Sequence, residues 1–249
     1  MLNTNLDNLS YLPFPHGVIE QFFDPELFRR LRASFPDFEL AQVKNDLGVK
    51  SSLSPVNNPE SYYKYLKENK EWKSFYDEIK QGVFIQAVVD QLKARNIDLR
   101  CSQHIKGLGL RSDFVNILKQ FKQGKLPRWV SSRFEFSMMP ADGGSILPHT
   151  DHPNKILTIV VGFNEDNELD DIEGAEFKLC EAVDPSKSYN NVNNYLGFDD
   201  INVLEKVVPT PNRALLFIKT HNSLHCVGPM KGPTGSLRKT ITINVELNK

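Results

Sequence analysis

The chain has 249 residues, 40% of them hydrophobic and 24% charged, with 30 Lys and Arg against 31 Asp and Glu. That length accommodates one large domain with a sizeable core, and a near-neutral balance without a long single-sign run argues against a nucleic-acid partner. Three cysteines, Cys101, Cys180 and Cys226, are unevenly spaced and form no CxxC pair, which argues against a disulfide framework or a structural zinc site and predicts reduced thiols.

At the N-terminus, residues 1–17 are polar and proline-punctuated, with neither a basic leader nor an unbroken apolar core. Nowhere do about 18 apolar residues run together, the rough length of a membrane span. A soluble, cytoplasmic protein without membrane attachment is the expectation. The stretch from Val18 to Phe23 reads as a short strand. Asp24-Pro25 starts a helix, with Asp as N-cap and Pro at the first helical position, and Leu27, Phe28, Leu31 and Phe35 follow at helical spacing up to Pro36.

Residues 37–58 have no sustained period and read as a loop over the active site. From Asn58-Pro59 to Arg95 a period near 3.6 returns, which predicts two or three helices. The aromatic run Tyr62, Tyr63, Tyr65, Trp72, Phe75 and Tyr76 falls at that spacing and is assigned to core packing. A further helix is predicted from Ser112, its cap, to Gln120, followed by a basic connector from Lys122 to Pro127. That connector lacks the glycine spacing of a phosphate loop.

Beyond Pro127 the texture changes to alternation. Strands are predicted at Trp129 to Met138, Ile156 to Phe163, Gly174 to Cys180, Ala214 to Ile218 and Lys239 to Val245, with a long polar surface loop at Asp184 to Asp200. Helices first and short strands afterwards describe an α+β chain. Residues 1–127 form a mainly helical N-terminal part and residues 128–249 an antiparallel barrel or sandwich, without a linker to separate them. One domain spanning 1–249 is expected.

Within the second half, His149 and Asp151 lie between the Gly-rich turn Ala141-Asp142-Gly143-Gly144 and a strand, and His225 lies just beyond another strand. A barrel would bring all three to one mouth. Two neutral imidazoles and one carboxylate, on one face of a non-haem Fe(II), leave adjacent positions open for a bidentate co-substrate and for dioxygen.

From about Phe134 to Leu247 the sequence resembles the 2-oxoglutarate/Fe(II)-dependent dioxygenase superfamily, in its prolyl 4-hydroxylase-like branch. The resemblance is carried by Pro140 to Gly144 with His149-Thr150-Asp151, the strand Leu157 to Phe163 ending in Asn164, and Gly174-Ala175-Glu176-Phe177. It continues through Pro209 to Phe217, His225-Cys226-Val227 and Arg238-Lys239-Thr240. It implies a double-stranded β-helix core of jelly-roll or cupin-like form, behind supporting helices. It implies further that His149, Asp151 and His225 bind Fe(II), and that Arg238 pairs with the distal carboxylate of 2-oxoglutarate, a task suited to its planar fork. Thr240, two residues on, shares a strand face with Arg238 and can add a hydroxyl.

The implied reaction consumes O2 and 2-oxoglutarate, releases succinate and CO2, and hydroxylates a small metabolite, amino acid or peptidyl residue. A carboxylate at position 151 favours hydroxylation over halogenation, whose enzymes have a small residue there. Two positions depart from the prolyl hydroxylase pattern, Met139 and Gly162, where members of that branch often have tyrosines. The connector Gly228 to Ser236 is also longer than is common. His152, His221, Lys155 and Asn222 are further candidates for contacts around the site. The alternatives are a cupin-like metal-binding isomerase or ligand-binding protein, and a catalytically silent interaction fold. Oligomeric state is not readable from the sequence.

Overall fold

The computed structural model describes residues 2–6, 8–41, 49–122 and 128–248. Strands β1 (Asn8–Ser10) and β2 (His16–Ile19) lead into helix α1 (Pro25–Ala33). β2 stops at Ile19 rather than continuing to Phe23, because Gln21 takes a φ of 51°, outside strand geometry. The Asp24 side chain accepts from the backbone N–H groups of Glu26 and Leu27, donors that the first turn leaves without partners. α1 ends at Ala33, short of Pro36. The carbonyl of Ser34 is taken by Trp72 Nε1 at 2.9 Å and by the Tyr65 hydroxyl, and a residue before proline avoids helical geometry.

The 37–58 stretch is more ordered than a loop. It holds a 3-10 turn at Phe38–Ala41 and strand β3 (Ser51–Leu53), too short to show a period. Residues 42–48 of that stretch lie outside the described residues. Three helices follow, α2 (Pro59–Glu68), α3 (Lys70–Lys80) and α4 (Gly82–Lys93), and then α5 (Leu110–Lys122). α5 begins two residues before Ser112, which is therefore not its cap; the Asp113 carboxylate instead accepts from the N–H groups of Gly107 and Leu108. Residues 123–127 of the basic connector lie outside the described residues.

Eight strands then complete the fold: β4 (Val130–Pro140), β5 (Ile146–His149), β6 (Lys155–Gly162), β7 (Phe177–Ala182), β8 (Ile201–Val207), β9 (Ala214–Ile218), β10 (His225–Val227) and β11 (Leu237–Leu247). They sort into a large sheet, ordered β1-β2-β9-β6-β11-β4-β3, and a small sheet, ordered β5-β10-β7-β8. Every named pairing is antiparallel. Chain order from β4 to β11 swings between the sheets, so the strands wind as a double-stranded β-helix, the jelly-roll arrangement.

Alternation along the large sheet decides what faces where. Phe134, Phe136 and Met138 of β4, with Leu157, Ile159 and Val161 of β6 and Ile241, Ile243 and Val245 of β11, share one apolar core with the helices, packing with Tyr62, Trp72, Phe75 and Ile79. The aromatic run is core, as its spacing predicts, with only Tyr63 half out in solvent. The intervening residues of the same strands look into the barrel towards the small sheet. Among the described residues, no helix is long and apolar enough to cross a membrane.

Trp72 is fully buried, with its ring centroid 4.6 Å from that of Phe136 and 5.8 Å from that of Phe134. Trp72→Ala leaves a cavity at the junction of helices and sheet and is expected to cost about 3–5 kcal/mol. A urea titration followed by circular dichroism should show the midpoint falling with an unchanged slope.

Candidate metal centre

The antiparallel pairing of β5 with β10 sets His225 directly opposite His149, and the ring centroids lie 4.3 Å apart. Asp151 follows β5 by two residues with a φ of 71°, a left-handed turn that brings its carboxylate back between the rings. Oδ1 lies 3.5 Å from His149 Nε2 and Oδ2 lies 3.9 Å from His225 Nε2. One ligand atom from each of the three residues falls within 4.8 Å of the others, and all three residues are buried.

Each histidine is oriented by the carbonyl two residues before it. His149 Nδ1 is 2.8 Å from Leu147 O, and His225 Nδ1 is 2.9 Å from Ser223 O. A carbonyl only accepts, so Nδ1–H donates and Nε2 keeps a lone pair aimed at Asp151, the tautomer a metal needs. Phe177 stacks on the His225 ring at 5.2 Å and 17°, which fixes its plane. Burial, with His149 beside it, pushes His225 down to about 3, so it is a neutral imidazole at physiological pH. Burial alone would raise the Asp151 carboxyl, but the Lys155 ammonium beside it outweighs burial and holds the group well below its usual range.

The remaining valences of Asp151 are already organised. Lys155 Nζ lies 2.6 Å from Oδ1, and the Thr158 hydroxyl donates to Oδ2 at 3.0 Å. The site opens into a cavity of about 210 Å³, lined by the polar and charged Lys50, Arg133, Glu135, Lys155 and Thr242 and by the apolar Val160, Phe177 and Phe217. A larger cavity of about 510 Å³ adjoins the small sheet near Cys180 and Leu224 and contains no triad residue.

Arg238 and Thr240 of β11 sit opposite Met139 and Gly162 respectively, and both are buried. The resemblance assigns Arg238 to the distal carboxylate of 2-oxoglutarate; in the structure it borders a narrow space whose walls Val160 and Phe177 are shared with the triad cavity. Arg238 Nε donates to Ala175 O at 2.7 Å, while buried Nη2 has no partner. Among the described residues no carboxylate pairs with it. Burial lowers it to about 10, which leaves it a cation at neutral pH.

The two departures from the prolyl hydroxylase pattern have different explanations. A Cβ at Gly162 would come within 2.3 Å of the carbonyl oxygens of Pro209 and Thr210, so backbone approach forbids any side chain there. Met139 is fully buried in the barrel's own apolar cluster.

Of the four outlying candidates, Lys155 lines the triad cavity and His152, His221 and Asn222 do not. His152 is exposed and bonds Asn154 beside it. His221 stacks on Tyr189 at 4.9 Å. Asn222 donates to Pro13 O and borders the larger cavity. The 184–200 loop lies beside the site: Thr150 Oγ1 donates to Asn190 O at 2.6 Å, Leu196 N donates to Pro148 O, and the Tyr195 ring is 6.1 Å from that of His149.

Sequence reasoning missed Arg133, Glu135, Thr242 and Lys50. The first two left a trace, charges alternating with Phe134 and Phe136 on one strand, which reads as a solvent face until the second sheet covers it. Lys50 left none.

No protein-family model and no curated protein matches the sequence. Among solved structures, the chain is similar to a prolyl hydroxylase from Trichoplax adhaerens in complex with a hypoxia inducible factor oxygen degradation domain peptide fragment. The two share 16% identity over 93% of this chain and 83% of that one, with a TM-score of 0.45. A Pseudomonas putida prolyl-4-hydroxylase gives 14% identity over 93% and 91% with a TM-score of 0.45, and a 2OG-Fe(II) oxygenase family oxidoreductase from Burkholderia pseudomallei gives 14% over 57% and 58% with a TM-score of 0.31. The resemblance is to prolyl hydroxylases and 2OG-Fe(II) oxygenases. At such scores the chemistry is read from the site itself.

Glu135 supplies a pH signature. Burial would raise its carboxyl, but Lys50 and Arg133 bring it down to about 2 from an ordinary 4.5. A depressed carboxyl contributes stability above its unfolded value and loses it as pH falls through the folded one. The urea midpoint should therefore drop between pH 4.5 and 2, and Glu135→Gln should flatten that drop by on the order of 1–3 kcal/mol.

Proposed function

We propose that this chain is an Fe(II)- and 2-oxoglutarate-dependent dioxygenase that hydroxylates a small-molecule or peptidyl substrate with release of succinate and CO2. The observation that carries this reading is a buried cation without a counter-charge among the described residues, Arg238, behind a buried site of two imidazoles and one carboxylate. An uncompensated buried charge costs several kcal/mol, and a dicarboxylate whose far end reaches Arg238 removes that cost. A cupin-like isomerase or binding protein is told apart from this reading by oxygen-dependent succinate release, which only the oxygenase shows.

The donor set fits Fe(II). Two neutral nitrogens and one carboxylate oxygen occupy a single face and leave the cavity side open. Bound there, Fe(II) supplies dioxygen activation coupled to oxidative decarboxylation of the co-substrate. The protein's own part is orientation. Leu147 O and Ser223 O hold the imidazole tautomers, Thr158 and Lys155 hold the Asp151 carboxylate, and Arg238 with Thr240 receives the distal carboxylate of 2-oxoglutarate. Phe177, Phe217 and Val160 line an apolar wall that limits water at the substrate carbon. The helical part, 1–127, buttresses the 128–249 core, and the chain works as one oxygenase domain.

Anaerobic titration with Fe(II) and 2-oxoglutarate should develop a metal-to-ligand absorption band. Asp151→Ala should abolish it, and a folded protein without the band would sink the proposal. Arg238→Met should retain iron but weaken 2-oxoglutarate binding by about 10- to 100-fold, from loss of a charge-assisted hydrogen-bonded pair; isothermal calorimetry reads that change directly.

A further inference from the structure

The charged wall of the triad cavity is not explained by oxygen activation. Arg133 and Glu135 are successive inward residues of β4, Thr242 faces Glu135 across the sheet, and Lys50 arrives from just before β3. Lys50 Nζ lies 2.7 Å from Glu135 Oε1, and Arg133 Nη1 lies 3.4 Å from Glu135 Oε2. The main partner of Arg133 is Glu246, at 2.9 Å from Nη2. Small barrels ordinarily fill their interiors with close-packed side chains, and buried ion pairs are often no more stabilising than apolar residues of similar volume. The cluster therefore has a reason other than holding the sheets together. None of these side chains is sealed: 8% of Lys50, 14% of Lys155, 16% of Glu135 and 21% of Arg133 remains accessible, and all four line the cavity.

The pairing leaves one charge over. Lys50 keeps Glu135, and Arg133 keeps Glu246. Among the described residues, the carboxylate in ion-pair contact with Lys155 is Asp151, the one assigned to the metal. Once Asp151 is committed to a divalent cation, Lys155 is a cation in the cavity wall with no carboxylate of its own.

We propose that this wall selects a small prime substrate bearing a carboxylate, received by Lys155 with the Glu135-paired Lys50 beside it, and with its carbon skeleton against Val160, Phe177 and Phe217. The inference rests on the oxygenase reading and deepens it. The cavity, about 210 Å³, suits a free small acid held whole.

The test uses the whole chain loaded with Mn(II) and 2-oxoglutarate without oxygen. Calorimetry measures free L-amino acids and small aliphatic and hydroxy acids, each against its own primary amide, and succinate release with Fe(II) in air is measured on the same panel. At least one acid is expected to bind at least tenfold more tightly than its amide. Lys50→Met should reduce that preference to under twofold, and Lys50→Arg should restore it. Amides binding as well as acids in the unaltered protein, or only prolyl peptides stimulating succinate release, overturns the proposal while leaving the oxygenase reading intact. Lys50→Met weakening 2-oxoglutarate more than the acid also overturns it, because the carboxylate at the wall is then the co-substrate's. Failure of the unaltered protein to bind 2-oxoglutarate at all removes the oxygenase reading, and this one with it.

Discussion

The three-residue strand β10, hydrogen-bonded between β5 and β7, is the constraint on which the site depends. Its pairing with β5 places His225 against His149, and its pairing with β7 puts Phe177 opposite Val227, next to the His225 ring. Asp151 closes the triad from a left-handed φ, a conformation that costs of order 1–3 kcal/mol for a residue with a side chain. The contacts that over-determine it are visible around it. Thr158 and Lys155 hold the carboxylate from β6, and Thr150 is fastened to the 184–200 loop through Asn190. Strain at that one residue converts two adjacent strand ends into three converging ligands.

Two kinds of charge are buried inside the barrel, and they have different meanings. Lys50, Glu135, Arg133 and Glu246 form a chain of mutual partners, and Asp151 is compensated by Lys155. Arg238 has none of this. Its one hydrogen bond among the described residues goes to a neutral carbonyl, and its buried Nη2 has no partner there.

Gly162 shows how closely scaffold and specificity are interwoven. The approach of Pro209 and Thr210 to its Cα excludes the tyrosine that the prolyl hydroxylase pattern often carries there, and Met139 removes the hydroxyl of another. Contacts those tyrosines would make must come from other groups, or not exist. Functions are grafted onto folds residue by residue, and at Gly162 the backbone itself decides which residue is possible.

The sequence by itself determined the α+β order, the main helices, the long strands of the large sheet and the three metal ligands. These are encoded locally, in an Asp-Pro cap, in 3.6-residue and two-residue periods, and in a His-x-Asp with a distant His. Strands β3, β5 and β10, three or four residues each, were invisible because so short a run has no period and exists only through its partners. Only the tertiary structure decided that Arg133 and Glu135 look into a cavity rather than into water, since a strand's alternation says that two faces differ and not which one a second sheet will cover. It also decided that Lys50 joins them, that Lys155 pairs with Asp151 while His152, His221 and Asn222 turn elsewhere, and that Arg238 lies behind Val160 and Phe177. The placements of Lys50, Arg133, Glu135 and Arg238 are set by contacts between segments far apart in the chain, and no local pattern records them.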